Sequence, residues 1–322
     1  MNERINLTPP SLDEAPRQRK REKRDVNGWL VLDKPVGMTS THAVSVAKRL
    51  YSAKRAGHAG TLDPLASGLL PIALGEATKT VPFVMDGRKV YHFTVRWGEE
   101  RDTDDAEGRV DATSAARPSA DDIRALLPQF SGTIAQIPPR FSAIKIDGER
   151  AYDLARDGEV VELEARPVEI HRLSLVAIPD PDHAVLSAEC GKGTYVRALA
   201  RDMGRLLGCF GHVSALRRTG VGPFVEQDGV SLERLQAADA AALTGLLQPA
   251  AAGVQGLPAL SVSRADAARL ARGQAVLLRG RDAPIVQGVV AVFTQGDLIA
   301  LADAAEGELR PRRIFNLGGQ AP

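Results

Sequence analysis

Residues 57–71 read Gly-His-Ala-Gly-Thr-Leu-Asp-Pro-Leu-Ala-Ser-Gly-Leu-Leu-Pro, and this stretch constrains the chain more than any other. Gly57, Gly60 and Gly68 permit backbone angles closed to other residues. Pro64 fixes its own φ and biases Asp63 towards an extended or turn conformation. The acid therefore sits on a stiff loop, between a helix-like segment and a mostly apolar run that can anchor it. Two readings follow. Asp63 is a capping or turn residue, the common fate of Asp beside Gly and Pro, or it is an acid held ready for a ligand at little entropic cost.

The whole chain of 322 residues is long enough for one large unit and a small one. Its 44% hydrophobic and 25% charged content is that of an ordinary globular protein. No apolar run is long enough to span a bilayer, and the polar N-terminus is not a secretory signal. Cys190 and Cys209 fit a reducing cytoplasm as small buried residues and offer no zinc spacing. Forty-one Lys+Arg against forty Asp+Glu leave a net charge of +1, so any nucleic-acid surface is a local one. Residues 1–25, with the basic run Arg17 to Arg24, read as a disordered tail. Gly75-Glu76-Ala77-Thr78-Lys79 lacks the spacing of a phosphate loop, and the acidic run Arg101 to Gly108 lacks that of an EF-hand.

Periodicity and turn signals place the elements. Strands are expected at Gly28 to Lys34, Lys89 to Trp97, Glu169 to Ala177 and Ala184 to Cys190. Helices are expected from Ser40 or Thr41 to about Tyr51, from Asp121 or Asp122 to Leu127, after Gly193 to Leu207, and across 231–248. Residues 111–120 read as linker. Beyond Pro258 come short β-like runs at Ala275–Leu278, Val286–Phe293 and Leu298–Ala302, with one helix near Arg264 to Arg272. His58 alone reads as a hydrogen-bonding residue, Tyr91 as a half-buried aromatic and Arg197 as a residue early in a helix.

Five motifs together resemble one family. Gly57 to Leu70 looks like the active-site motif of the bacterial tRNA pseudouridine-55 synthases, the TruB family. Leu32 to Ser40 resembles the opening of that family's catalytic unit. Gln136 to Tyr152 resembles its Pro-Pro-x-Tyr/Phe-Ser-Ala-x-Lys-x-x-Gly-x-Arg-x-Tyr segment. Lys192-Gly193-Thr194-Tyr195-Val196-Arg197 and the Leu216-Arg217-Arg218 segment resemble two more of its motifs.

The resemblance implies an α+β pseudouridine-synthase fold: a mixed central sheet flanked by helices and loops, with a small C-terminal, mainly β, PUA-like unit. It implies a catalytic unit at 26–250, a thumb at about 137–166 that clamps RNA, and an RNA-binding unit at 255–319. The implied reaction converts a uridine, position 55 in the tRNA T loop, to pseudouridine. Asp63 would be the catalytic residue, paired with Arg197. His58 would hold the flipped-out nucleotide, Tyr91 would stack on the base, and Tyr195 and Leu216 would line its pocket. Arg140, Lys145, Arg150 and Arg217 would meet phosphates, as would Arg218 unless it packs by its stem. Lys34 and Pro35 would shape a wall. No cofactor or metal is implied, and the expected partner is the tRNA T arm, met by a cytoplasmic monomer without an obligate protein partner. A tRNA-binding or folding chaperone, or a guide-RNA-dependent synthase, is the alternative.

Overall fold

The computed structural model describes residues 22–142, the backbone of 145–146 and 149–150, and residues 163–278 and 286–317. The elements of the larger unit are β1 (Gly28–Lys34), α1 (Ser40–Leu50), β2 (Ala56–His58), β3 (Ser67–Leu74), α2 (Val81–Asp86), β4 (Lys89–Trp97), β5 (Glu99–Arg101), β6 (Val110–Thr113), α3 (Ala120–Leu126), β7 (Gly132–Gln136), β8 (Lys145–Ile146), β9 (Glu149–Arg150), β10 (Arg166–Asp180), β11 (His183–Cys190), α4 (Val196–Leu206), β12 (Gly211–Val221), β13 (Phe224–Val225), β14 (Val230–Ser231), α5 (Leu232–Ala237) and α6 (Ala240–Gly245). The smaller unit holds β15 (Ala259–Ser261), α7 (Arg264–Ala271), β16 (Val276–Leu277), β17 (Gly288–Thr294), β18 (Asp297–Ala305) and β19 (Glu308–Ile314).

The large sheet runs β14-β1-β3-β12-β4-β11-β10-β7, with β2 beside β3 and β13 beside β12. It is mixed. β3 meets β12 in parallel, while β1–β3, β12–β4 and β4–β11 are antiparallel. Strand alternation splits its apolar residues between two cores. Leu30 and Leu32 face one core with Phe93, Val95, Trp97 and α4's Leu199 and Met203. Trp29 and Val31 face the other with Leu69, Ala73, Val221 and Phe224. β3 and β12 are neighbours inside the sheet; the Asp63 loop runs from β2, which pairs with β3, into β3 itself.

The second sheet runs β15-β17-β18-β19-β16 over a core of Leu260, Leu270, Val276, Val290, Val292 and Leu309. The chain beyond β19 returns to the large unit. Lys79 Nζ donates to Ile314 O at 2.6 Å and lies 5.6 Å from the Phe315 ring centre, and Asn316 N donates to Glu76 at 2.8 Å.

Several boundaries differ from expectation for physical reasons. Thr39, not Ser40 or Thr41, caps α1 by accepting from His42 N. Ser119 caps α3 in a reciprocal capping box with Asp122. The 231–248 stretch is two short helices, because Ala238 is extended and Asp239 restarts the helix as a cap. The start of the expected linker at 111–120 is the hairpin strand β6, paired with β5. β19 hides in the sequence because it reads Arg310-Pro311-Arg312-Arg313 rather than apolar. Within the expected tail, Arg24 N donates to Ser52 O and Asp25 pairs with Lys54. The rest of that tail (1–21) and, within the expected thumb, residues 143–144, 147–148 and 151–162 fall outside the description.

Candidate active site

Asp63 lies on the loop joining β2 to β3, with its side chain one-third exposed. Three buried groups from other elements hold that loop by its backbone. The Lys34 ammonium, fully buried at the end of β1, donates to Ala66 O at 2.5 Å, Met38 O at 2.8 Å and Pro35 O at 3.0 Å, with Pro64 O at 3.5 Å. Burial lowers this lysine to about 8, against the opposing pull of the Asp63 charge. Ser40, the first residue of α1, exchanges hydrogen bonds with Leu62: its hydroxyl donates to Leu62 O at 3.0 Å and accepts from Leu62 N at 2.9 Å. Arg218 on β12 donates to Gly60 O, Thr61 O and Leu69 O at 3.1, 3.2 and 2.9 Å. Gly60 and Gly68 take φ of +95° and +102°, and a Cβ on Gly68 would stand 2.2 Å from Arg218 O. The turn requires glycine there.

The acid's partner comes from α4. Arg197, buried in the first turn, brings Nε to 2.9 Å from Asp63 Oδ2. This is the pairing implied by the resemblance, formed as a charge contact, with the N–H not aimed along the line to the oxygen. Its other nitrogens donate to Thr103 O at 2.8 Å and Phe141 O at 3.0 Å, and Nη1 lies 3.3 Å from Asp105 Oδ2. One turn on, buried Arg201 donates to Asp104 at 2.9 Å, Asp202 at 2.8 Å and Ile137 O at 2.7 Å. Burial raises Asp104 to about 6, opposed by Arg201. The acidic loop is thus bolted to α4, and the guanidinium that meets Asp63 is itself fixed on several sides.

The comparisons with known proteins bear on this arrangement. Residues 48–196 match the model described as TruB family pseudouridylate synthase (N terminal domain), and residues 197–255 the tRNA pseudouridylate synthase B C-terminal domain. The chain is 67% identical over 322 residues to the tRNA pseudouridine synthase B of Bradyrhizobium diazoefficiens, covering 98% of this chain and 93% of that protein. It is 58% identical over 307 residues to the tRNA pseudouridine synthase B of Rhizobium meliloti, covering 93% and 98%. The chain belongs to the TruB family. A chain in the crystal structure of a Cbf5–Nop10–Gar1 complex has a TM-score of 0.68 at 25% identity, covering 89% of this chain and 84% of that one. The α+β pseudouridine-synthase fold agrees with this likeness.

The other expected residues of this TruB-family site gather to different degrees. Tyr91 on β4 is half-buried and sits directly across from Arg218 of β12. Burial raises its phenol, which faces the Arg218 guanidinium and feels the Asp63 charge. Leu216, two residues before Arg218, lies on the same sheet face and is buried. Tyr195 precedes α4, and its backbone is clasped by buried Gln136, which accepts from Tyr195 N at 2.9 Å and donates to Tyr195 O at 3.2 Å. Burial raises the Tyr195 phenol too, with Arg197 and Asp63 both near it. His58 is half-buried at the end of β2, its Nδ1 buried without a hydrogen bond, and burial lowers it below the ordinary histidine value.

Arg140 is exposed. The side chains of Lys145 and Arg150 lie outside the described residues; their backbones form the β8–β9 hairpin. Arg217 points to the face opposite Arg218 and binds Asp33 through two bonds at 3.0 and 2.9 Å, and Glu226 at 2.8 Å. The Asp33 bonds raise its pKa, and a phosphate reaching it must share it with two carboxylates. Arg218 is buried, which corrects its reading as a phosphate contact.

Sequence reasoning passed over Arg201, Asp104, Asp105 and Gln136 as site residues, and gave Lys34 only a wall. One signal was present: Arg201 follows Arg197 by four residues on the apolar face of α4, beside buried Ala198 and Met203. Among the described residues no helix is long and apolar enough to cross a membrane.

Proposed function

We propose that the protein isomerises a uridine of tRNA, position 55 in the T loop, to pseudouridine, with Asp63 as the catalytic carboxylate. The observation that carries this reading is the Asp63–Arg197 contact at 2.9 Å, at the head of an open loop, in a chain 67% identical to a tRNA pseudouridine synthase B. The reaction breaks the bond between C1′ and N1, turns the base, and joins C1′ to C5. The base must first leave its stack, which a pre-splayed RNA loop makes cheaper. Asp63 acts on the ribose, either by adding to it or by removing the 2′ proton, and Arg197 fixes the carboxylate's direction. Tyr91 stacks on the base, Leu216 and Tyr195 wall the pocket, and His58, in its neutral form at pH 7, packs against the opened RNA loop. The reaction is an isomerisation with no net redox change.

In this reading 26–250 is the catalytic unit, with a thumb at about 137–166 carrying Arg140, Lys145 and Arg150 to phosphates, and 255–319 a second RNA-binding unit. The chain acts as a monomer on the T arm, in the cytoplasm where its two free cysteines stay reduced.

Mapping pseudouridine in tRNA incubated with wild type and with Asp63→Asn tests the reading. Wild type converts one T-loop uridine without added protein or guide RNA. Asp63→Asn binds the same tRNA within a few-fold and loses about 10⁴-fold in rate. Conversion by the variant at the wild-type rate makes Asp63 structural and overturns the reading.

A further inference from the structure

Arg218 is the one buried arginine of this region whose partners, among the described residues, are neutral. Arg197 and Arg201 have Asp63, Asp105, Asp104 and Asp202. Arg218, 1% exposed, has Gly60 O, Thr61 O, Leu69 O and the facing Tyr91 phenol. A buried cation without a counter-charge is costly, and a fold that keeps one has placed it where something compensates.

Its position shows where. Gly60 and Thr61 lead directly into Leu62 and Asp63, so the guanidinium fixes the approach of the acid. Across the strand pair, Arg218 and Tyr91 share a face, with Leu216 two residues away on that same face. A base lying on Tyr91 therefore lies over a fixed positive charge. Lys34 and Lys89, both buried and both lowered to about 8, feel the same guanidinium, so the neighbourhood is positive well beyond one residue.

We propose that Arg218 is a positioning residue that aims the Asp63 loop and the Tyr91 ring, and whose uncompensated charge serves the negative charge that appears on the departing base. This rests on the isomerase reading given above. When the C1′–N1 bond breaks, its electron pair leaves on N1 and the uracil becomes an anion spread over O2 and O4. Re-bonding through C5 returns a pair to C1′, the C5 proton is lost to a base, and N1 ends with a proton, so the sum is an isomerisation. Preorganised positive charge near the anion lowers that barrier without a reorganisation cost.

The test compares wild type, Arg218→Lys and Arg218→Met in single turnover on a T-arm RNA carrying uridine or 5-fluorouridine at the reacting position, reading loss of the N-glycoside, with RNA affinity from filter binding. 5-Fluorouracil is the better leaving group and needs less help as an anion. The expected result is affinity within about threefold for both variants and a loss of about 100-fold for Arg218→Met on uridine. The lysine regains at least about tenfold of this, and the methionine deficit shrinks to under about tenfold on 5-fluorouridine. Equal deficits on the two RNAs, a lysine variant as slow as methionine, or unchanged rates overturn the proposal. If Arg218→Met does not fold, the narrowing of the lysine deficit between the two RNAs decides by itself. A wild type inert on both RNAs overturns the isomerase reading and this proposal together, whereas an active wild type with indifferent variants overturns this proposal alone.

Discussion

The two units of the molecule differ in where they put positive charge: among the described residues, only the large one buries it. The large unit has surface cations too, such as Arg96 and Arg217, but it also holds five inside, on its sheet and on α4: Lys34, Lys89, Arg197, Arg201 and Arg218 are all at most 7% exposed. They are spent on backbone carbonyls and acids, and three of them, Lys34, Arg197 and Arg218, meet the Asp63 loop itself. In the five-stranded sheet the cations are outside. Arg310 and Arg312 of β19 pair with Glu308 and Asp303 at the surface, and Arg264 and Arg269 flank an exposed helix. Taking a charge out of water costs several kcal/mol, so a fold does it where a backbone must be held in a shape it would not otherwise keep. A surface charge costs little and contributes little to stability, which leaves it available to a partner.

Arg201→Met sharpens this contrast most, because it strands the Asp104 carboxylate in the interior. The expected loss is about 3–5 kcal/mol of folding stability in a urea titration. Lys34→Met follows, removing the donor that ties Ala66 O and Pro64 O of the acid loop to Pro35 O and Met38 O of the turn after β1, at about 2–3 kcal/mol; a variant as stable as wild type would show that the loop holds itself. Next comes a pH effect. Lys34 loses its proton near 8 in the fold and near 10.5 when unfolded. The sign is that of a depressed pKa: the site's contribution to stability is fully present above about 10.5 and is lost as pH falls to about 8. Catalysis moves the other way. The charged ammonium grips the Asp63 loop below about 8, so kcat/KM falls on the alkaline side, and Lys34→Arg moves that fall to higher pH. Smallest is Arg312→Gln, expected within about 0.5 kcal/mol of wild type by thermal melting; a large loss there would erase the distinction between the units.

The same division decided what could be read from the sequence. The stiff loop under Asp63 was legible because Gly and Pro punctuate it, and the strand and half-burial of Tyr91 from its β-forming residues, but the site roles of both needed the resemblance. The pairing with Arg197 needed the resemblance, since no local signal links residues so far apart. Arg201, Arg218 and Lys34 were hard to read because a charged side chain is by default a surface one; only the strand and helix faces they occupy reveal that they point inward. β19 was lost for the converse reason, its arginines displaying no apolar period. Gln136 is a buried amide whose partner is backbone, and backbone partners leave no pattern in sequence.

The middle position of β12 in the large sheet bears on how the protein is made. Leu69, Thr61 and Gly60 wait 149, 157 and 158 residues for the guanidinium that secures them. At synthesis rates of about 5–20 residues per second, the acid loop is translated about 8–30 s before its clamp. A nascent chain, or one that stops short of β12, carries the loop's whole motif and still lacks the guanidinium that secures its backbone, so the centre is finished late in synthesis.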